Sequence, residues 1–181
     1  MQQEYLALLR GINVGGNSLI KMADLGAALA KDGFTDVRTY IQSGNVIFKS
    51  KINNADEIAR NVESSIEKHF GIQVAVAIFT KREWQQIIAN APQWWGKNDE
   101  WKHNLIVLLK PYDMQETIEA VGLLKSEIEA MEPGEGVLYQ SMSRALFGRT
   151  TTGKISSSPI YKRMTIRNYN TATKLLKMFS Q

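Results

Sequence analysis

The first eighty residues alternate between short apolar runs and stretches with helical periodicity. Four apolar or β-rich runs bounded by glycine or polar turns predict strands at 5–10, 37–42, 46–49 and 74–79. Between them, apolar residues recur at helical spacing over 22–31 and 56–70, and a glycine follows each stretch within two residues. The order β-α-β-β-α-β is typical of a ferredoxin-like unit.

The second half of the chain carries the same order less clearly. Strands are predicted at 105–109, 137–140 and 165–167, a helix from 113 to about 125, a helical turn at 159–163 and a closing helix at 170–179. Residues 145–148 suit either a strand or a short helix. We therefore predict an α+β protein of two packed ferredoxin-like (βαββαβ) halves, the second less regular, plus a C-terminal helix.

The domain boundaries follow from this pattern. Residues 1–80 form the first half, and residues 104–181 form the second half with the C-terminal helix. Residues 81–103 comprise a helix, for which Thr80 and Glu83 are a predicted capping box, and a tryptophan-rich linker.

Three predicted strands are apolar at successive positions rather than at alternate ones. These runs are YLALL, VAVAIF and LIVLL. A ferredoxin-like sheet has helices on one face only, whereas continuous apolar runs indicate burial on both faces. The second face of the first sheet is therefore expected to be covered by the other half or by another subunit.

Composition narrows the classes of function. The 181 residues contain no cysteine and two histidines, which excludes a disulfide framework, a thiol nucleophile and, in effect, a structural zinc site. Carboxylates could still hold Mg²⁺, but no Asp/Glu cluster points to such a site, and we predict neither a metal site nor a cofactor. Lys and Arg number 22 against 18 Asp and Glu, an excess that permits an anionic partner without requiring nucleic acid. No signal peptide or membrane-spanning run is visible, so we expect a cytoplasmic protein.

A glycine-rich loop follows the first predicted strand, in the sequence ALLRGINVGGN. Its glycines allow the backbone to approach a ligand closely, Lys21 adds positive charge, and a helix N-terminus follows. These features suit a bound phosphate or carboxylate, although the loop matches neither a Walker motif nor the dinucleotide fingerprint. A purely structural turn is an equal alternative.

Polar residues surround the predicted hairpin turn at 43–45. A pocket for an anionic, nucleotide-like ligand is one interpretation, and an internal hydrogen-bond network that ties the hairpin to the loop is the other. The network is slightly favoured for Thr39, Gly44 and Asn45. Arg10 is different, because a charge that ends a buried strand needs a partner, and a bound anion is one candidate.

A second polar cluster precedes the closing helix. Asn170 is a plausible N-cap there, whereas Arg167 is a ligand candidate that a site built from both halves would bring towards Arg10 and Arg38. The full set of candidate ligand-binding residues is Arg10, Asn13, Gly15, Gly16, Lys21, Arg38, Ser43, Asn45, Arg167 and Asn168.

The linker tryptophans admit two interpretations. Trp94, Trp95 and Trp101 lie among basic residues, which suits a stacking platform for bases, but tryptophans more often pin a segment onto the core. We favour the second interpretation. No serine is predicted to pair with a base and no catalytic group is visible, so the sequence leaves open whether the protein is an enzyme.

Three motifs carry a resemblance to a known family. ALLRGINVGGNSLIKMADL, VRTYIQSGNVIF and the C-terminal TIRNYNTATKL resemble a bacterial family catalogued as domain of unknown function 1697. The resemblance covers almost the whole chain and implies two ferredoxin-like halves but no reaction. Residues 141–162 depart from the family's commoner Ser-Lys-Leu version, which leaves the loop TTTGKISSS without an implied role.

The expected function is the binding of a small anionic ligand, phosphate-bearing or nucleotide-like, near the glycine-rich loop. One alternative is a nucleic-acid-binding module that uses the basic surface. The other is a structural or interaction protein without a ligand. No membrane partner is expected, and the sequence leaves the oligomeric state open.

Overall fold

The computed structural model describes residues 2–16, 18–151, 155 and 157–179. The chain divides into two compact units, Met1–Gln85 with Leu175–Gln181 and Gln86–Lys174. Each unit is described on its own below.

Unit 1 is built on a four-stranded antiparallel sheet with the strand order β2-β3-β1-β4. Its elements are β1 (Gln3–Leu9), α1 (Met22–Lys31), β2 (Thr35–Tyr40), β3 (Asn45–Ser50), α2 (Ala55–Phe70) and β4 (Val76–Thr80), followed by the start of α3 (Lys81–Ala89). This order is the one predicted from the apolar pattern, with β1 and β3 at the centre of the sheet.

Local chemistry fixes the ends of the longest helix. The Asn54 side chain accepts a hydrogen bond from the backbone N–H of Glu57 at 2.9 Å, which satisfies one of the unpaired amides at the start of α2. Gly71, with a φ of 67°, ends the helix in the left-handed conformation. Apolar side chains on α1 and α2 pack on one face of the sheet with Tyr5, Phe48 and their neighbours.

The other face of this sheet is buried as well. Tyr5–Leu9 are at most 1% exposed at successive positions, so both faces of β1 are covered, as the continuous apolar run predicts. Within unit 1, Trp84 contacts Phe79 on this second face with ring centroids 5.2 Å apart.

Unit 2 repeats the topology around β5 (Trp101–Leu108), with the order β6-β7-β5-β8. Its other elements are α4 (Met114–Val121), β6 (Glu129–Gly134), β7 (Val137–Ser143), β8 (Met164–Asn168) and α5 (Tyr169–Met178), whose last residues group with unit 1. Two short 3₁₀ helices, Phe147–Arg149 and Pro159–Arg163, lie where a regular ferredoxin-like unit has its second helix.

Unit 2 corrects two predictions and decides one open alternative. No strand was predicted between the helix that begins at 113 and the strand at 137–140, yet EAMEPG forms a full antiparallel strand against β7. α4 ends before Gly122 instead of reaching 125. The undecided stretch 145–148 contains the start of a 3₁₀ helix, not a strand. The fold class itself, α+β with a less regular second half and a C-terminal helix, is confirmed.

Candidate functional site

The glycine-rich loop and the first hairpin turn meet at one end of the unit 1 sheet. Because β1 and β3 are neighbours, the end of β1 lies beside the start of β3, and the Leu9 N–H donates to the Gly44 carbonyl at 2.8 Å. We call the described part of 10–21, together with 41–44, the glycine corner. Six of the ten candidate ligand-binding residues lie within it, and a seventh, Asn45, is adjacent to it. The six are Arg10, Asn13, Gly15, Gly16, Lys21 and Ser43.

Asn13 holds the two parts of the corner together. Its side-chain amide donates to the Ile20 carbonyl at 2.9 Å and to the Gln42 carbonyl at 2.8 Å, and its Oδ1 accepts from the Ile20 N–H at 2.8 Å. Its φ of 55° lies in the left-handed region, which asparagine tolerates better than most residues. Asn13 therefore acts as an internal brace, the role that the hydrogen-bond-network interpretation gives to polar residues here.

Asn45 and Gly44 also have structural explanations. Asn45 is fully buried, and its amide donates to the Tyr40 carbonyl at 2.9 Å and to Ser43 Oγ at 3.0 Å, which closes the hairpin turn. Gly44 has a φ of 74°, and a Cβ at this position would lie 2.7 Å from Leu9 Cβ. Only glycine fits both the backbone conformation and the space.

The three loop glycines differ from Gly44. Gly11, Gly15 and Gly16 have φ values of 71°, 61° and 80°, and no described atom lies within 4 Å of a Cβ built on any of them. Their backbone thus faces open space, where a ligand could approach it. Packing does not demand glycine at these positions, although the left-handed conformation favours it.

Two basic residues begin and end the loop. Arg10 directly follows β1, is half-buried, and donates its backbone N–H to the Ala75 carbonyl at 3.0 Å. Lys21 is exposed and is the N-cap residue of α1, and no described side chain caps that helix start. The first amides of α1 are therefore available to an anion, although Asp24 in the first turn reduces the local positive potential.

Exposed apolar side chains mark the same corner. Val14, Leu19 and Ile41 are 61%, 70% and 48% exposed. Ile41 also has a φ of 47°, a conformation that is strained for a β-branched residue. The fold gains neither burial nor a relaxed backbone from isoleucine at this position.

Arg38 lies away from the corner. Its guanidinium forms an ion pair with Glu4 and donates to the Met178 carbonyl at 2.8 Å. Glu4 is near the start of β1, whereas Arg10 directly follows the end of this strand. The Arg38 guanidinium therefore binds near the end of β1 that is opposite to Arg10. The structure gives Arg38 a role in attaching the end of α5 to unit 1.

Arg167 and Asn168 belong to unit 2. Arg167 is 5% exposed and donates from Nη1 to Thr165 Oγ1 at 2.8 Å and to the Ile166 carbonyl at 2.9 Å. Burial lowers the pKa of its guanidinium to about 10. Asn168 accepts from the Thr171 N–H at 2.8 Å, so Asn168 caps α5 and not Asn170, the residue predicted from the sequence.

Unit 2 also contains a serine–histidine pair that the sequence pattern does not predict. His103 on β5 lies opposite Ser141 on β7, with 2.5 Å between Nδ1 and Oγ, and its Nε2 is 2.8 Å from the Asn98 carbonyl. The carbonyl can only accept, so Nε2 carries the proton and the Ser141 hydroxyl donates to Nδ1. Ser141 is 2% exposed, which makes the pair a cross-strand connection rather than an accessible nucleophile.

The tryptophan-rich segment is attached to unit 2 mainly by Trp95. Trp95 is 4% exposed, donates from Nε1 to the Asn104 carbonyl at 2.9 Å, and meets the rings of Tyr139 and Tyr169 edge-on. Such a buried ring cannot stack on a base, which agrees with the pinning interpretation. Four of the nine residues of the loop TTTGKISSS lie outside the described residues, and within the described part Thr151 donates its N–H to the buried Glu129 at 2.8 Å.

In the described part of the chain, no three His, Cys, Asp or Glu side chains are grouped as metal ligands. Among the same residues, no helix combines the length and apolar character that crossing a bilayer requires.

Comparisons with known proteins bear on the whole chain. No curated protein sequence matches it. Among solved structures, it is similar to the conserved bacterial protein SP0830 from Streptococcus pneumoniae, with 26% sequence identity, a TM-score of 0.87, and coverage of 98% of this chain and 99% of that one. The model of the protein family of unknown function DUF1697 matches residues 1–139. With both ferredoxin-like sheets in place and this match over most of its length, the chain belongs to the DUF1697 family.

Proposed function

We propose that the glycine corner binds a small anionic ligand of the phosphate-bearing or nucleotide-like class. The observation that carries the proposal is Ile41, which is both exposed and strained. Residues in sparsely populated backbone regions cost about 1–3 kcal/mol each and tend to occur at ligand sites. Asparagine or glycine would relieve this strain, so the fold alone gives no reason for isoleucine here.

The chemistry around Ile41 supports the ligand class. Lys21 and the uncapped first turn of α1 offer positive charge and amide donors, and Gly15 and Gly16 leave the adjacent backbone open to close approach. Val14 and Leu19 add exposed apolar surface. A nucleotide-like ligand would place its anionic group against the basic side of the corner and its flat base against the apolar side.

A thermal-shift screen with nucleotides, sugar phosphates and inorganic phosphate tests this function. A nucleotide or sugar phosphate at 100 times its Kd stabilises the folded state by about 2.7 kcal/mol, which raises Tm measurably. Lys21→Gln should reduce the shift. Lys31→Gln, at the other end of α1, is the matched control and should leave it unchanged.

Ile41→Asn separates a ligand role from a scaffold role. Asparagine accepts the left-handed backbone, so the variant should melt at or above the wild-type temperature while losing ligand-induced stabilisation. A flat screen with the wild-type protein would refute the proposal. Binding to DNA or RNA that falls steeply with salt, with no response to small phosphates, would favour the nucleic-acid alternative instead.

The proposal extends to location. We propose that the protein works in the cytoplasm, where its lack of cysteines carries no cost and phosphorylated small molecules are made. A fractionation in which the native protein separates with membranes or periplasm would contradict this location.

A further inference from the structure

A cleft of about 570 Å³ opens at the end of the unit 1 sheet opposite to the glycine corner. Its walls come from the connection between α1 and β2, the end of β3 with the residues that follow, and one face of α2. Small-molecule sites typically measure about 300–1,000 Å³, so the cleft has the size of a binding site. It shares no residue with the glycine corner.

The wall formed by α2 is a stripe of polar side chains. Asn61, Ser64, Ser65 and Lys68 are spaced i, i+3, i+4 and i+7 along the helix, which places them on one face. The neighbouring stripe carries Ile58, Val62 and Ile66 into the core. The amphipathic pattern of α2 explains why these three apolar residues are buried, but it does not explain why Ser65, on the polar stripe, is buried as well.

Ser65 is the buried residue on this polar stripe. It is 3% exposed, and its hydroxyl has no hydrogen-bond partner among the described residues. Leaving a buried hydroxyl unsatisfied costs about 1–3 kcal/mol, whereas alanine at the same place would cost nothing of this kind. Because Ser65 lines the cleft, a molecule in the cleft is the partner that would satisfy it.

Two of the three Asp and Lys residues on the cleft, Asp32 and Lys68, pair with each other, and Lys51 is the third. Asp32 accepts from Lys68 Nζ at 2.9 Å and lies 3.0 Å from His69 Nε2. The hydrogen bond from Lys68 is the largest cause that lowers the pKa of Asp32 to about 2, and Ser65 and His69 lower it further. The Ser65 hydroxyl thus lies close to this carboxylate but makes no hydrogen bond of normal geometry to it. A single carboxylate that is already paired does not make a cation site, and it opposes a strongly charged anion.

The remaining groups define a neutral, hydroxylated ligand. Asn61, Ser64 and Ser65 offer donors and acceptors, and the free lone pairs of Asp32 offer further acceptors. Phe34 and Ile52 supply apolar surface in the same cleft. Sugars and polyols present this combination, with hydroxyl groups at their edges and C–H groups on their faces.

We propose that the cleft between α2 and the start of β2 binds a small sugar or polyol, with Asn61 and Ser65 hydrogen-bonded to its hydroxyl groups. This site is separate from the glycine corner and does not depend on the function proposed above.

Saturation-transfer difference NMR on the full chain tests the proposal with a panel of neutral pentoses, hexoses and their alditols. At least one compound should give a signal with the wild-type protein. Ser65→Ala should weaken the affinity for that compound by about tenfold, the loss of one hydrogen bond or about 1.4 kcal/mol. Ser126→Ala, at an exposed serine outside the cleft, is the matched control and should bind like the wild type.

Stability provides a second readout that a merely structural serine would not give. Without ligand, Ser65→Ala should raise Tm because it removes an unsatisfied buried hydroxyl. Asn61→Ala, at an exposed position, should keep the wild-type Tm and also lose affinity. The proposal is overturned if no compound gives a signal, if both variants bind as the wild type does, or if Ser65→Ala lowers Tm.

Discussion

Replacing Gly44 by alanine tests the close packing between the first hairpin turn and the end of β1. The new Cβ would lie 2.7 Å from Leu9 Cβ and 3.0 Å from Ile12 Cδ1, in a backbone with a φ of 74°. Forcing an L-residue into the left-handed conformation costs about 1–2 kcal/mol. Overpacking a rigid site adds about 1–3 kcal/mol. The free energy of unfolding should therefore fall by about 2–5 kcal/mol.

Gly11→Ala is the matched control. Gly11 has nearly the same φ, 71°, but no described atom lies within 4 Å of its Cβ position. The free energy of unfolding of Gly11→Ala should therefore fall only by the cost of the left-handed backbone, about 1–2 kcal/mol. Urea denaturation followed by circular dichroism gives both values, and any gain from restricting the unfolded chain is common to the two variants. Equal losses at the two positions would refute the packing argument.

Three further predictions concern individual side chains. Asn13→Gly keeps the left-handed backbone but removes three hydrogen bonds, so urea denaturation should show a loss of about 2–4 kcal/mol, and a loss below about 0.5 would contradict the bracing role. The pKa of Asp32 falls from 3.8 to about 2 on folding, so its contribution to stability is present above pH 3.8 and is lost as the pH falls towards 2. Tm measured over this range should therefore fall less in Asp32→Asn than in the wild type, and parallel profiles would refute the assignment. For His103, ¹⁵N NMR should show the Nε2–H tautomer, and Ser141→Ala should lower stability by about 1 kcal/mol, whereas an Nδ1–H tautomer would contradict the hydrogen-bond direction.

Local patterns were sufficient to predict most of unit 1. The helices α1 and α2 are visible from apolar spacing and their glycine stops. The residue types also predict the hairpin turn, although it lies at 41–44 and not at 43–45. The burial of both faces of β1 was also predictable, because a continuous apolar run has no polar side to expose.

β6 was missed because its sequence, EAMEPG, has little β propensity. It is a strand because it pairs with β7, and its first residue is stabilised by contacts that sequence spacing does not reveal. The buried carboxylate of Glu129 accepts from the backbone N–H of Lys125 at 3.0 Å and from that of Thr151 at 2.8 Å. The pairing that aligns Ser141 with His103 joins β5 to β7. It was not inferred because the strands predicted at 105–109 and 137–140 stop short of both residues.

Candidate-site residues were predicted by type better than by role. The polar residues near the loop lie around one corner, but the side chains of Asn13 and Asn45 donate to backbone carbonyls of the protein itself. Arg38 was expected near Arg10, and its partner Glu4 was not considered. Strand pairing determines which charges meet across a sheet, and the register of pairing is a tertiary property.

The contact between Arg38 and Met178 has a consequence for synthesis on the ribosome. The two residues are 140 positions apart in the chain. At about 5–20 residues per second, the Met178 carbonyl is made about 7–28 s after Arg38. During that interval the rest of the first sheet can already form, with Glu4 neutralising the arginine. Unit 1 is thus completed by residues that are synthesised after all of unit 2.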